Sequence, residues 1–416
     1  MSENRKRTIF PIISIAVFLM VLVLPTAIWG IGTLILGDSF QTLDFDLGEN
    51  RKLASFPEEL TPDYGTKLES YYNDRLPFRS LIISTNRSLT AAMENPYDKV
   101  ISPYLVDIFY NSSNKDLASN GTGDYADFFP PKLYNDMTIQ GRDGWLFFAK
   151  ENSLEDYLGS NVLTQEEMQE YLDNMIKLQD ICTSLGKEVY FILPPNKEQV
   201  YSELMPNYKI VNEYKRLEQL FDYIKANSNL KISYPMEELQ TAKENYQIYF
   251  KTDTHWNHAG AFIGVQALYS LMGMPVTDLD SLSPTPDGFD AGDLIGMGNL
   301  NKEDYTGDIY YQINYKPDIT VTALNDTTLA DWIYSTSSTS PNKKHLTLVG
   351  DSFRMFMSEF LAKDFSQYTH VHWNYLQEST AVEAIKDADI LIIESVERLN
   401  DGLIGTLTRV CEILNS

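Results

Sequence analysis

The stretch Leu346-Thr-Leu-Val-Gly-Asp-Ser-Phe353 decides the fold, because it predicts a buried strand that turns tightly into a helix. Gly350 permits the turn, and apolar spacing over 354–362 is typical of a helix. A serine at such a turn stands at the open edge of a sheet. The backbone N–H of Ser352 would then lie at the positive end of the helix and could stabilise an oxyanion. The alternative is that Asp351 and Ser352 only cap the helix, as these residues commonly do.

A second stretch, Lys251-Thr-Asp-Thr-His-Trp-Asn-His-Ala-Gly260, contains the partners that a nucleophilic serine needs. A serine hydroxyl requires a base, for which His255 is suited, and Asp253 can hold the histidine tautomer from the same loop. One alternative is that His255 is a loop or core histidine satisfied by a neighbour. Another is a metal site made by Asp253, His255 and His258. No cysteine lies nearby, so we rank the metal site last and predict neither a metal nor a cofactor.

Helices and strands alternate from Thr164 onward, which predicts an α/β fold with a mostly parallel sheet flanked by helices. Ligands of such sheets bind beyond the carboxyl ends of strands, where Ser352 and Glu394 are both expected. Segment 277–344 interrupts the alternation and is interpreted as an insertion, before the serine strand, inside a catalytic domain at 136–416. The pattern places helices at 164–185, 212–226, 236–243, 259–272, 354–362, 381–385 and 403–414, and strands at 189–193, 231–234, 346–349, 369–373 and 389–393.

The N-terminal region predicts a membrane anchor. Residues 9–36 contain no charged side chain and exceed the length that a helix needs to cross a bilayer. Three basic residues at 5–7 place the N-terminus in the cytoplasm. The alternative, a cleaved signal peptide, is disfavoured by the long apolar stretch and by the lack of an Ala-x-Ala site. We therefore expect a cytoplasmic tail at 1–8, a single transmembrane helix at 9–36, and a tether with an irregular extension at 37–135 outside the cell membrane.

Composition excludes some partners. The chain has 416 residues and a formal charge of −25, which argues against nucleic acid as a ligand because phosphate binding needs a basic surface. Cys182 and Cys411 are the two cysteines, and both fall in predicted helices. Two cysteines do not make a disulfide framework, so they could either pair or remain buried thiols.

The two stretches together resemble a known family. Gly-Asp-Ser-Phe at 350–353 with Asp-Thr-His-Trp at 253–256 resembles the SGNH-hydrolase-like proteins of polysaccharide O-acetylation, namely the alginate O-acetyltransferase group and the DHHW family. In that group the Asp-x-His segment precedes the serine, as it does here. Thr254 is a departure, since the DHHW family often has His there, and we expect its side chain to point away from the triad. Further matching segments are Glu49-Asn-Arg51, Tyr72-Asn-Asp-Arg-Leu-Pro-Phe-Arg79, Gly141-Arg-Asp-Gly-Trp-Leu-Phe147, Pro194-Pro-Asn-Lys197 and Glu394-Ser-Val-Glu-Arg398.

The resemblance implies an SGNH-hydrolase-like fold and an O-acetyltransferase activity toward hydroxyls of a cell-surface or exported bacterial polysaccharide. Ser352, His255 and Asp253 would form the triad and pass the acetyl group through an acyl-serine. A multipass membrane acyltransferase would supply the acetyl group. Two alternatives remain open, an acetylesterase with the same triad and a non-catalytic surface assembly protein. Four other motif residues are expected either to contact the oxyanion or substrate or to make structural bonds: Asn196, Lys197, Glu394 and Arg398.

Overall fold

The structure, a computed structural model, describes residues 129–416, apart from the side chains of residues 399–401. The expected cytoplasmic tail at 1–8, the anchor at 9–36 and nearly all of the extension at 37–135 lie outside the described residues. Within residues 129–416, no helix combines the length and the apolar composition needed to cross a bilayer.

A seven-stranded sheet organises the described residues, with strand order β5-β4-β12-β10-β11-β9-β8. The first five strands in this order run parallel, and β9 and β8 add antiparallel strands at one edge. The α/β fold with a mostly parallel sheet is therefore confirmed. The strands of the chain are β1 Leu133–Tyr134, β2 Thr138–Gln140, β3 Leu146–Phe148, β4 Glu188–Ile192, β5 Ile232–Ser233, β6 Thr285–Phe289, β7 Asp308–Gln312, β8 Val321–Ala323, β9 Ile333–Ser338, β10 His345–Gly350, β11 Gln367–His372 and β12 Ile390–Glu394.

Helices cover both faces of this sheet. They are α1 Ser153–Leu158, α2 Gln165–Ser184, α3 Lys197–Val200, α4 Arg216–Asn227, α5 Met236–Ala242, α6 His258–Met272, α7 Asp293–Met297, α8 Arg354–Asp364, α9 Ser379–Asp387 and α10 Leu403–Asn415. The helix predicted at 212–226 begins only at Arg216. Its expected first turn is replaced by a local one, in which the Asn212 side chain accepts a hydrogen bond from the Tyr214 N–H at 3.0 Å.

Side chains alternate between two hydrophobic cores across the sheet. Leu346 and Leu348 of β10 pack into one core with Trp256 and Phe353, whereas Val349 packs into the other. A parallel strand buried on both faces needs such a continuous apolar sequence. Cys182 and Cys411 lie in the second core as buried, unpaired thiols.

The segment 277–344 has two structural parts. Its first part forms a separate antiparallel pair, β6 with β7, together with the short helix α7. Its second part, β8 and β9, joins the edge of the main sheet through β11. The segment therefore does more than interrupt the alternation of the fold, because its last strand extends the sheet beside β11.

Candidate active site

The turn after β10 presents Ser352 at the carboxyl end of the central strand. Gly350 is required there because a Cβ at this position would collide with the carboxylate of Glu394 on β12. The side chain of Asp351 accepts hydrogen bonds from the N–H groups of Phe353, at 2.8 Å, and Val396, at 2.7 Å. Asp351 thus stabilises the turn, which leaves the serine hydroxyl available for another partner.

That partner is His255. Its Nε2 lies 2.6 Å from Oγ of Ser352, and its Nδ1 lies 2.6 Å from Oδ1 of Asp253. The structure thus brings together three predicted residues from segments about a hundred positions apart, in the order hydroxyl, imidazole, carboxylate. This is the geometry of a serine activated by a histidine whose tautomer is held by a carboxylate.

The electrostatics of Asp253 suit this arrangement. Burial by itself would raise the pKa of Asp253, but His255 and the N–H groups of His255 and Asp293 hold the pKa at about 2. Those two N–H groups donate to the carboxylate at 3.0 Å each. The carboxylate is therefore ionised at neutral pH, and it can steady a positive charge on the imidazole.

Lys197 holds the loop that carries Asp253. Its Nζ donates to the carbonyl oxygens of Phe250, Lys251 and Asp253, at 3.0, 3.3 and 2.6 Å. The side chain is buried, and burial lowers the pKa of Lys197 to about 8. A buried amine with three backbone acceptors fixes the course of this loop, so Lys197 positions the loop without facing the cleft.

Trp256 fixes the loop from its other end. The indole Nε1 donates to the carbonyl oxygen of Phe353 at 3.1 Å, and the ring is fully buried in the core. Asn257 then caps α6 by accepting hydrogen bonds from two N–H groups of its first turn. The loop and the serine turn are therefore joined directly, next to the His255–Ser352 contact.

Thr254 does not point away from the triad, and that expectation is wrong. Its hydroxyl donates to Oδ2 of Asp293 at 2.7 Å and lies 3.3 Å from Nδ1 of His255. Asp293 also accepts the Thr254 N–H at 2.8 Å. Asp293 was not predicted as a site residue. It begins α7, inside the glycine-rich part of segment 277–344, and only the fold brings it to the loop.

Of the four additional predicted residues, Arg398 alone lines the cleft in front of Ser352. Asn196 makes structural bonds, since its side chain donates to Asp156 at 3.2 Å and accepts the Arg398 N–H at 3.2 Å. Glu394 accepts the Asp351 N–H at 2.9 Å beneath the turn, and burial raises its pKa well above the ordinary value. Lys197 supports the loop as described above.

The cleft has a volume of about 320 Å³. Arg398 lies in it with 5% exposure, and the Nε atom of this side chain has no hydrogen-bond partner among the described residues. Sequence reasoning missed the residues that β9 and β11 bring to the cleft: Trp332, His372, Trp373 and Asn374. Burial and the charge of Arg354 lower the pKa of His372 to about 4, so this histidine is neutral near pH 7.

The structure brings together a different set of potential metal ligands from the set that the sequence suggested. His258 turns from the triad toward Glu359, with Nε2 3.5 Å from a carboxylate oxygen. Potential ligand atoms of Asp253, His255 and Asp293 lie within 4.8 Å of one another. However, Nδ1 of His255 is already bonded to Asp253, and Nε2 faces Ser352. This donor pattern favours proton transfer.

Comparisons with known proteins give a similarity to the same group that the motifs resemble. Residues 138–282 match the family model described as the SGNH hydrolase-like domain of the acetyltransferase AlgX. This matched range contains Asp253 and His255 but ends before Ser352. A stretch of 140 residues is 29% identical to a probable alginate O-acetylase AlgJ of Pseudomonas putida, over 33% of this chain and 35% of the relative. A stretch of 143 residues is 27% identical to a probable alginate O-acetylase AlgJ of Pseudomonas syringae pv. tomato, over 33% and 34%.

Solved structures give weaker similarities. The O-acetyltransferase domain of Pseudomonas putida AlgJ aligns at a TM-score of 0.41 and 17% identity, covering 66% of this chain and 99% of that one. Bacillus cereus PatB1 aligns at 0.45 and 18%, covering 66% and 97%. The chain spans about a third of the length of the curated relatives that it matches. The match of residues 138–282 to the family model and the similarity to the probable alginate O-acetylases confirm the resemblance drawn from the motifs.

Proposed function

We propose that this protein is a membrane-anchored O-acetyltransferase that moves an acetyl group onto hydroxyls of a cell-surface or exported bacterial polysaccharide. The observation that supports this most directly is the 2.6 Å contact between Nε2 of His255 and Oγ of Ser352. The similarity to probable alginate O-acetylases supports the choice of reaction.

In the first step, His255 accepts the hydroxyl proton of Ser352 as Oγ attacks the carbonyl carbon of an acetyl donor. The negative charge that develops on the carbonyl oxygen is stabilised by the Ser352 N–H at the start of α8. The bond from the acetyl carbon to the donor oxygen then breaks, and His255 returns its proton to the leaving group. An acetyl ester of Ser352 remains.

In the second step, a sugar hydroxyl replaces the donor. His255 removes the proton of that hydroxyl, whose oxygen attacks the acetyl-serine. The Ser352 oxygen leaves and regains its proton from His255, and the acetyl group is now on the sugar. Asp253 keeps Nδ1 of His255 protonated in both steps. Arg398, whose guanidinium side chain lines the cleft, contacts the donor or the acceptor.

The proposed location of the protein in the cell rests on its sequence. The uncharged segment 9–36 anchors the chain in the cell membrane with its N-terminus in the cytoplasm, and the catalytic domain acts outside the cell. A multipass membrane acyltransferase supplies the acetyl group, as the family resemblance implies.

The test uses the full chain in detergent with 4-nitrophenyl acetate as donor and a panel of oligosaccharides as acceptors. The parent protein should gain one acetyl group on Ser352 by mass spectrometry and should release acetylated sugar. Ser352→Ala should do neither, while Ser202→Ala, which changes an exposed serine outside the cleft, should behave as the parent. Release of acetate with no acetylated sugar would instead identify an esterase. Unchanged transfer by Ser352→Ala would overturn the proposal.

A further inference from the structure

Trp332 is the unusual residue of the cleft. It is 48% exposed, although a tryptophan side chain is large and mostly apolar, and it lines the same cleft as Ser352 and His255. It precedes β9 at the sheet edge where β10 and β11 end. The parallel register pairs Gly350 with His372, and the ring of Trp332 meets that of His372 edge-on, with centroids 4.9 Å apart. The indole therefore stands beside the serine turn.

The position of this indole is held by the backbone around it. The carbonyl oxygen of Trp332 accepts the His372 N–H at 2.7 Å. The preceding carbonyl, of Asp331, accepts hydrogen bonds from His370 at 2.9 Å and from Arg354 at 3.3 Å. Three hydrogen bonds at two consecutive carbonyls restrict the loop before β9, so the exposed ring does not depend on a ligand to order it.

A second ring, from the turn that follows β11, supports Trp332. Tyr375 lies nearly parallel to the indole, with an angle of 12° between the planes and a centroid distance of 5.4 Å. With Tyr375 stacked on it, His372 against it edge-on and the guanidinium carbon of Arg354 5.9 Å from its centroid, the indole has a fixed plane while nearly half of the residue remains exposed. A rigid, solvent-exposed aromatic surface in a cleft binds a ligand at a low cost in conformational entropy.

We propose that Trp332, supported by Tyr375, is the surface on which the acceptor sugar ring stacks, and that it selects pyranose rings with an apolar C–H face. This inference rests on the proposed function, because it names the group that accepts the acetyl from Ser352. A pyranose has polar hydroxyls at its rim and C–H groups on its faces, so an aromatic ring packs against one of those faces. The rim hydroxyls then point toward the polar side of the cleft, which Glu151, Asp293 and Arg398 provide.

The proposal assigns the two steps of the reaction to different residues of the cleft. Acetylation of Ser352 by a small donor requires the triad and no sugar contact, so it should depend on Trp332 less than transfer does. Transfer to a sugar requires the acceptor to be held beside the acetyl-serine, and this step should depend on the indole. A general structural defect would slow both steps together.

The test compares Trp332→Ala, Trp332→Phe and the control Leu329→Ala, which changes an exposed residue of the same loop that does not line the cleft. Acetylation of Ser352 by 4-nitrophenyl acetate is measured without sugar, and transfer is then measured against oligosaccharide concentration. Trp332→Ala should raise the acceptor KM about tenfold, a larger effect than its effect on the acetylation of Ser352, with Trp332→Phe intermediate. Leu329→Ala should match the parent. An unchanged KM in Trp332→Ala, or an equal loss of acetylation and transfer, would overturn the inference.

A binding measurement separates this inference from the proposed function. The Ser352→Ala protein, which cannot be acetylated on Ser352, is titrated with the same oligosaccharides while tryptophan fluorescence is recorded. A saturable change that disappears in Ser352→Ala/Trp332→Phe supports the stacking surface even if the parent proves not to transfer acetyl groups. The same change in both proteins would place the sugar elsewhere and reject the role of Trp332.

Discussion

Nζ of Lys197 donates a hydrogen bond to the carbonyl oxygen of Asp253 at 2.6 Å, so a buried amine from the start of α3 holds the loop that carries the imidazole. This contact and its two companions at Phe250 and Lys251 link the end of β4 to the triad. The serine and the histidine are therefore positioned by separate supports, the turn after β10 and this amine.

Lys197→Met should destabilise the protein and slow acetyl transfer. Three carbonyl oxygens would lose their buried donor, which costs about 2–4 kcal/mol in unfolding free energy. The loop would loosen, and kcat should fall about tenfold or more. Urea denaturation and acetyl-transfer rates measure the two effects. Lys215→Met is the matched control, since Nζ of Lys215 also donates to two backbone carbonyls, outside the cleft. Equal loss of activity in both variants would contradict a specific role for Lys197.

Asp253→Asn should reduce kcat about 10³-fold or more, because an amide cannot hold the protonated Nδ1 of His255 as a carboxylate does. Asp293→Asn should reduce kcat by about tenfold at most, since the nearest carboxylate oxygen of Asp293 is 4.0 Å from that Nδ1. The acetylation rate of Ser352 is the measurement, and circular dichroism checks the fold. A larger loss of rate in Asp293→Asn than in Asp253→Asn would mean that Asp293 orients the histidine.

Gly350→Ala should unfold or distort the serine turn. The added methyl group would meet the carboxylate of Glu394, which is fully buried. We expect a loss of at least about 2 kcal/mol in stability and of most of the activity. The control is Gly288→Ala in β6, where a new Cβ meets no atom within 4 Å and the backbone has an ordinary φ. A thermal melt compares the two variants, and a stable, active Gly350→Ala protein would refute this account of the turn.

Stability should fall in mild acid because of His370. Burial and the charge of Arg354 lower its pKa from 6.5 to about 3. Between these pH values the unfolded chain binds a proton that the folded chain excludes. The contribution of neutral His370 to the free energy of unfolding is therefore complete above pH 6.5 and is lost as the pH falls. His370→Gln keeps a donor for the Asp331 carbonyl but does not titrate. Urea denaturation from pH 7 to 4.5 should show a shallower decline for the variant, and identical slopes would argue against the neutral buried histidine.

Local patterns predicted the elements that depend on near neighbours. Thr164 and Glu167 form a capping box at the start of α2, the helix predicted at 164–185, with both reciprocal hydrogen bonds present. The strand ending at Gly350 and the helix from Arg354 also lie where the apolar spacing placed them. These signals are read reliably because a cap or an alternation is completed within a few residues.

The same patterns did not reveal the parts of the cleft that come from segment 277–344 and from the end of β11. Asp293 and Trp332 have no periodic context, and their positions depend on contacts with Thr254 and His372. Lys197 was singled out, but its partners are backbone carbonyls, which every residue type provides. A sequence cannot specify which carbonyls a lysine will reach, because that choice is made by the path of the chain.

The amino-acid sequence by itself determined which chemical groups are present, the local structures that hold them, and the resemblance to a family that shares them. Only the tertiary structure decided that His255 meets Ser352, that Thr254 turns toward Asp293, and that an exposed indole stands beside the serine. Local structure arises from interactions within a few residues. A contact between positions 255 and 352 arises from the burial of Trp256 against Phe353 and from strand pairing, which involve most of the described chain.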